Sequence, residues 1–586
     1  MIDKPTDLTK KDGQASFFGA TSVFLIAIFF CWLLSLAYPE GLINEETITY
    51  WLLQKDFHWL SANQLDWYRT IPYGALLALS TKLSNPTNAL YWFNSLIFSL
   101  NFAFVFVLGL MVFASRRAAF SLALSALLFE VASMRMFYNN LGISPDALMG
   151  EAIFLGVLLC LVGWMKRSVS MLLLAYAIFG MVAFMKPIGI AIWPLFIAFA
   201  IAFSLRRAAG TAKSVVLMTL GTTLLISPLL LWCLRNYFVY GFATSSAFGG
   251  TSYLRAVLPL VSNHERLFDD EKTNWAFHRA LRTCEKENRD HLMELDENLN
   301  ENLARQFLYE RYFITGPAKN NPFQVILSVT NPDWHGVGSH EIYELQQEHM
   351  FKVNREAGRL AWQIIRDHPL EYVQLVMREY VSMFAPLEIW SNPFYNFQSD
   401  PSVAYDFWDS TRQGTRREYP ELFMGKAYGD GSGSVVYVAK ALGAVVNNRL
   451  WQSILELYYR CEFWLCHLIA LGAWVLWLQA PRYSKWFPSS MRLRWVAMTL
   501  LVLFVCAASI NLCIASCQIT RLRYQLASEM EVHLMFFLTI VTASLALSPK
   551  LRAAFEAKVQ PSVTGKESIL AKIKRYFNKR IRPSRG

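Results

Sequence analysis

Apolar runs nearly free of charge alternate with short polar turns over the first 233 residues and again from 456 to 548. A run of about 20 apolar residues crosses a hydrocarbon core as a helix, because the backbone there must satisfy its own hydrogen bonds. Ser16–Tyr38 carries no charge along its length. It is too long for the apolar region of a signal peptide and has no convincing small-residue cleavage site, so it reads as an uncleaved signal anchor. Further spans are predicted at Leu90–Phe113, Ala118–Phe137, Asp146–Trp164, Ser170–Met185, Ile188–Leu205 and Ser214–Cys233. Three more follow at Phe463–Leu478, Val496–Ile514 and Leu534–Leu547. The pattern predicts an all-α polytopic membrane protein of about ten transmembrane helices with one large, mainly helical insert.

Lys and Arg in the short loops set the orientation. Arg116 and Arg117 follow the second span, Lys166 and Arg167 the fourth, and Arg206, Arg207 and Lys213 the sixth. Arg482, Lys485, Arg492 and Arg494 lie between the eighth and ninth, and Lys550 and Arg552 follow the tenth. Every second loop is basic, which predicts cytoplasmic termini and an extracytoplasmic insert. Four regions result: 1–233, a transmembrane region whose first outer loop is expected to be catalytic; 234–455, the insert; 456–548, the last spans; and 549–586, a basic cytoplasmic tail.

The insert is polar but rich in aromatic residues. Helix is predicted over His264–Phe313 and Glu341–Asp367, and again in LEYVQLVMREYVSMF after Pro369. There Tyr372, Leu375, Val376, Tyr380 and Met383 share one face, which predicts a helix at the membrane interface. Pro386–Pro420 reads as irregular loops.

Composition changes this picture little. Only 17% of residues are charged, against about 25% in a typical soluble domain. The net charge of +11 is accounted for by cytoplasmic loops and the tail, without nucleic acid. In the tail, Ile569, Ile573, Tyr576, Phe577 and Ile581 recur at helical spacing among Lys and Arg. A helix on anionic lipid and a solubilising tail both fit that pattern. Most of the nine cysteines lie in or beside spans. No CxxC or HExxH spacing occurs, so a divalent metal is possible but no motif names its ligands.

Candidate chemistry gathers on the outer side. Glu45 and Glu46 follow the first span closely. A carboxylate at the apolar mouth of a bundle suits a general base, and one at a helix N-terminus is simply favoured by the dipole. Asp146 opens the fourth span after Ser144 and Pro145, where a capping role is also available. Glu151 and Glu130 lie within apolar runs, where acids default to function; pairing with Arg135 on the next turn is the alternative for Glu130. Against the positive-inside trend, Arg69, Lys186, Arg235, Arg255, Arg521 and Arg523 fall on the outer side. Each alone reads as a headgroup anchor, but together they are suited to converge on one anion.

These features resemble the GT-C superfamily of polyprenyl-phosphate-dependent glycosyltransferases, which includes lipid A aminoarabinose transferases and protein O-mannosyltransferases. The signal anchor, the acidic pair in the first outer loop and the Pro-containing second acidic site carry the resemblance. So do FMKPIGIAIWPL, LRNYFVYGFATSS, AWQIIRDHPLEYVQLVMREY and RLRYQLASEMEVHLMF. The resemblance covers most of the chain as loose patterns. It implies transfer of one sugar, with inversion, from a polyprenyl-phosphate donor to an extracytoplasmic lipid, glycan or protein at a bacterial inner membrane, with the active site facing the periplasm. It implies that Glu46 or Glu45 acts as base or organises the acceptor, with Asp146 as the second acid. Arg69, Lys186, Arg235, Arg521, Arg523 and Tyr524 are then expected at the donor phosphate. Two rival classes remain: an O-antigen-ligase-like or polymerase enzyme using a diphosphate-linked oligosaccharide, and a lipid-carrier flippase or transporter. The flippase predicts charged or broken spans near the midplane in paired halves.

Overall fold

A computed structural model describes residues 10–37, 42–43, 50, 53, 70–81, 86–133, 142–143, 145–206, 215–246, 249–262, 265–287, 322–331, 347–383, 449–483, 492–517 and 522–547. The described residues are almost entirely helical, as the apolar periodicity requires. The chain opens with α1 (Lys10–Ala37), the two-residue strand β1 (Leu42–Ile43), α2 (Ile71–Thr81), α3 (Pro86–Phe113) and α4 (Arg116–Ser133). Strand β2 (Gly142–Ile143), α5 (Pro145–Lys166) and α6 (Val169–Met185) follow. A 3-10 stretch over Pro187–Ile192 then leads into α7 (Trp193–Arg206), and a π turn at Leu217–Gly221 leads into α8 (Thr222–Tyr240).

The insert contributes α9 (Gly249–Val257), α10 (Glu271–Glu287), α11 (Pro322–Thr330), α12 (Gln347–Asp367) and α13 (Pro369–Ser382). The chain then closes with α14 (Arg449–Tyr483), α15 (Leu493–Cys517) and α16 (Leu522–Leu547). Among the described residues, six helices are long and apolar enough to cross a membrane: Asn88–Phe113, Pro145–Lys166, Thr219–Tyr240, Ser453–Ala480, Leu493–Ser516 and Ser528–Leu547. Shorter apolar helices cover Phe17–Leu33, Ile71–Ser80, Val169–Met185 and Gly189–Ala198.

Several expected spans differ in detail. The span expected at Ile188–Leu205 begins as the 3-10 stretch: Pro194 has no N–H to give the Ile190 carbonyl, which accepts from the Trp193 amide instead, and α-helix starts only at Trp193. Helix α4 ends at Ser133, and the rest of its expected run lies outside the described residues. Helix α14 is 35 residues long and starts well before the expected Phe463. Helix α2 was not expected as a separate element. Its sequence, IPYGALLALST, buries Tyr73 and Leu77 against the bundle but is too short to register as a span.

Local chemistry explains the turns. Ser168 caps α6 by accepting from the Met171 amide. Helix α8 ends at Gly241, whose φ of 78° is the left-handed conformation that glycine takes without strain. Pro228 lies inside α8 and has no N–H to give the Leu224 carbonyl one turn back. Gly180 of α6 approaches that same carbonyl so closely that a Cβ would collide with it. The missing donor and the missing side chain thus allow α6 and α8 to pack backbone to backbone.

Two main cores result. The larger joins α1 through α6, α13 and the last three helices, with Phe98, Phe102, Phe106, Phe154, Phe179 and Leu503 buried in it. The second lies in the insert, where Leu254, Phe277, Ile326, Leu327, Phe351 and Leu360 are buried among α9 to α12. Asn354 of α12 links the insert's parts by accepting from the Gly250 amide at 2.6 Å, satisfying a free donor at the start of α9. Asp270 caps α10: the Thr273 hydroxyl and amide donate to its carboxylate and hold it below the usual range. Insert and bundle meet where α9 and α13 pack on α15.

Candidate functional site

The site forms where α5 begins and α6 ends, at one end of the bundle. Pro145 sits in the first turn of α5, where its missing N–H costs nothing, and Asp146 follows it. Asp146 is buried, and Lys186 Nζ donates to its Oδ1. Lys186 occupies extended backbone between α6 and the 3-10 stretch, so Pro187 breaks the helix at the point where the lysine must turn back toward α5. Ammonium and carboxylate offset each other's desolvation.

Three anchors bring the first outer loop to this pair. Strand β1 pairs in parallel with β2, with Leu42 opposite Gly142 and Ile43 opposite Ile143. Tyr50 is buried and meets the Tyr73 ring of α2 edge-on, 5.3 Å between centroids. Thr70 Oγ1 donates to the Met185 carbonyl at 2.8 Å, one residue before Lys186.

The remaining expected residues divide. Glu45, Glu46, Arg69 and Arg521 lie outside the described residues; Arg523 and Tyr524 belong to the start of α16, but their side chains are not described. Arg235 is buried near the end of α8, its guanidinium 5.1 Å from the Trp232 ring and 5.4 Å from the Tyr240 ring. It also donates to Asn236 Oδ1 at 3.2 Å, and Asn236 donates to the Thr244 carbonyl at 2.7 Å. These contacts fasten Arg235 into the end of α8 and the turn after it. Arg255 of α9 is likewise buried and donates to Ser252 Oγ at 3.3 Å, one turn back on its own helix. The structure therefore joins Asp146 to Lys186 across two helices, whereas these contacts tie Arg235 and Arg255 to their own segments.

A second polar group lies inside the bundle. His533 of α16 bonds through Nδ1 to Glu130 of α4 at 2.6 Å, with Glu529 at 3.9 Å from its Nε2. The Phe129 ring stands edge-on to the imidazole at 4.8 Å. Nearby, Asn101 of α3 donates to Glu151 Oε2 of α5 at 2.5 Å. Glu531 is buried with neither carboxylate oxygen hydrogen-bonded. Glu130 and Glu531 are both close enough to act electrostatically on Glu151.

Glu130 finds a partner in His533 on the last helix; Arg135, weighed as its partner on the next turn, lies outside the described residues. Sequence reasoning missed Asn101, Glu529, Glu531 and His533. The signal was present in ASEMEVHLMF, where three ionisable groups interrupt an apolar run, with Glu529 and His533 one turn apart. Among the described residues, no group of three or more His, Cys, Asp or Glu is arranged to hold a metal ion.

No family model matches the chain, and no curated protein matches it. Among solved structures, the chain is similar to the crystal structure of ArnT from Cupriavidus metallidurans bound to undecaprenyl phosphate. The alignment covers 73% of this chain and 78% of that one, at 14% identity and a TM-score of 0.30. A TM-score that low gives the likeness no weight for the site, which rests on the contacts above.

Proposed function

We propose that this chain is an integral membrane glycosyltransferase that moves one sugar from a polyprenyl-phosphate donor to an extracytoplasmic acceptor. The observation that carries the reading is the β1–β2 ladder. It pairs Ile43 with Ile143, so the chain reaches Glu45 two residues after one strand and Asp146 three residues after the other. Three residues of chain span at most about 11 Å, so connectivity alone keeps Glu46 within that distance of the ladder. Two acids from separate segments near one lysine make a constellation suited to glycosyl transfer.

In this reading Glu46, or Glu45, takes the proton from the acceptor hydroxyl as its oxygen attacks the anomeric carbon. The bond from that carbon to the phosphate oxygen breaks, and the phosphate leaves with the electron pair. Lys186, held beside Asp146, is the ammonium this reading assigns to the departing phosphate. Arg523, Tyr524, Arg521 and Arg69 are the further donors the reading assigns there. Fixed cations stabilise the charge that develops on the leaving group.

The test is transfer from a polyprenyl-phosphate sugar by the purified full chain in proteoliposomes. Loss of a positioned general base lowers the rate about 10²–10⁴-fold, the result expected for Glu46→Gln with folding intact. A dead Glu45→Gln beside an active Glu46→Gln moves the role back one residue. Normal rates in both remove the loop from the mechanism. A second reading, lipid-carrier flipping, is favoured by one observation: the buried Glu130, Glu151, Glu529, Glu531 and His533 inside the spans. Carrier movement across the bilayer without sugar transfer would select it.

A further inference from the structure

We infer that α13 is a membrane-embedded helix that descends from the insert along α15 and lays an apolar stripe against the hydrocarbon of the bilayer. Two tyrosines fix its course. Tyr372 donates to the Ser516 carbonyl at 2.8 Å, at the end of the apolar span Leu493–Ser516. Tyr380 Oη lies 3.3 Å from His467 Nε2, and the His467 ring stands 5.1 Å from that of Phe504. Phe504 precedes Ser516 by twelve residues, about 18 Å along the α15 axis. Tyr372 and Tyr380 are eight residues apart, about 12 Å along α13. Tyr372 thus meets the end of α15, while Tyr380 meets His467 inside the apolar span Ser453–Ala480 of α14, so α13 runs down the bundle and does not lie across its end. Val376, Tyr380 and Met383 accordingly join the core of the transmembrane helices.

Beside its packed face and next to the polar Glu371, Gln374 and Arg378, α13 carries a second apolar stripe. Leu370, Val373, Met377 and Val381 are 73%, 56%, 47% and 39% exposed, and their spacing of three, four and four residues puts them on one stripe. An exposed apolar stripe of this length on a helix packed into the bundle is suited to lipid more than to water. Neighbouring helices say what covers the stripe. Helix α14 exposes Trp464, Leu468 and Leu471, and α15 exposes Val505 and Leu512, both within apolar spans whose outer faces meet lipid. The α13 stripe continues that lipid-facing surface. Glu371 is exposed at the entrance and Glu379 is buried on the bundle side, while Arg378 flanks the stripe with a stem long enough to turn its charge toward the headgroups. At 14 residues, with three charges, α13 is invisible to a search for full-length spans.

The test uses single spin labels at positions 370, 373, 377 and 381 of the otherwise cysteine-free full chain, in phosphatidylcholine–phosphatidylglycerol nanodiscs. Accessibility to oxygen relative to a water-soluble nickel chelate reads depth. The expected result is a stepwise rise in that ratio, equivalent to about 16 Å between 370 and 381. One shallow depth at all four positions would place α13 flat on the interface, and chelate-dominated exposure would place it in water. Either overturns the inference. In the unmodified chain, a lipid-soluble carbene reagent should label Val373, Met377 and Val381, and a water-soluble radical should not. The reverse pattern would overturn the inference without any substitution.

Discussion

The rim of the bundle and its interior both hold buried charges, but they solve the problem differently. At the rim, Asp146 pairs with Lys186 where the spans end, and Lys186 keeps slight exposure. Inside, Glu130 and Glu529 share His533, Glu151 leans on the neutral Asn101, and Glu531 accepts no hydrogen bond. An ion pair with one partly exposed member can open and exchange a partner for a ligand group more readily than a fully buried one. A buried set with more acids than bases is held by its surroundings, and removing one member leaves an uncompensated charge. The rim therefore has the properties of a site that reacts, and the interior those of a fixed cluster that ties α4, α5 and α16 together.

The largest expected effect is at the interior. His533→Ala should destabilise the protein by about 3–5 kcal/mol, the cost of stranding a buried partner, measured as loss of thermal stability in detergent. A loss below about 1 kcal/mol would match an exposed pair and erase the contrast. Lys186→Met comes next. Removing the ammonium beside buried Asp146 should cost about 1–3 kcal/mol, and donor affinity should fall as well, which His533→Ala has no reason to cause in the molecules that remain folded. Equal donor affinity in the wild-type and Lys186→Met chains would take the lysine out of the site.

Gly180→Ala is the apolar control on the helix that carries Lys186. Forcing a methyl group against the Leu224 carbonyl should cost about 1–3 kcal/mol through overpacking. Because Gly180 lies six residues before Lys186, the same variant should disturb donor binding if α6 positions the rim pair. Unaltered unfolding and binding would mean that α6 and α8 can separate without consequence.

Much of the bundle was legible because a membrane span is a local pattern: Leu90–Phe113 or Val496–Ile514 declares itself in one window of residues. Asp146 and Lys186 were each legible as individual outer charges for the same reason. Their pairing was not, since 40 residues separate them, and Glu130 meets His533 across 403. No periodicity reports such a meeting. The two-residue strands were below any pattern's reach and α2 was hidden by length, whereas the helix after Pro369 was legible from its one-sided apolar face. Glu151 and Glu130 stood out as costly acids in apolar runs, yet only packed helices reveal that Asn101 and His533 receive them.

The β1–β2 ladder has a consequence for how this chain can change. It grips the first outer loop at Ile43, two residues from Glu45, while Leu53 and Thr70 hold positions farther on. Length added between Leu53 and Thr70 increases loop-closure entropy by only about 0.6 kcal/mol per doubling and leaves the grip at Ile43 untouched. One residue inserted between Ile43 and Glu45 shifts both acids along the chain relative to Asp146. The loop can therefore lengthen in its later part while its start stays fixed in register.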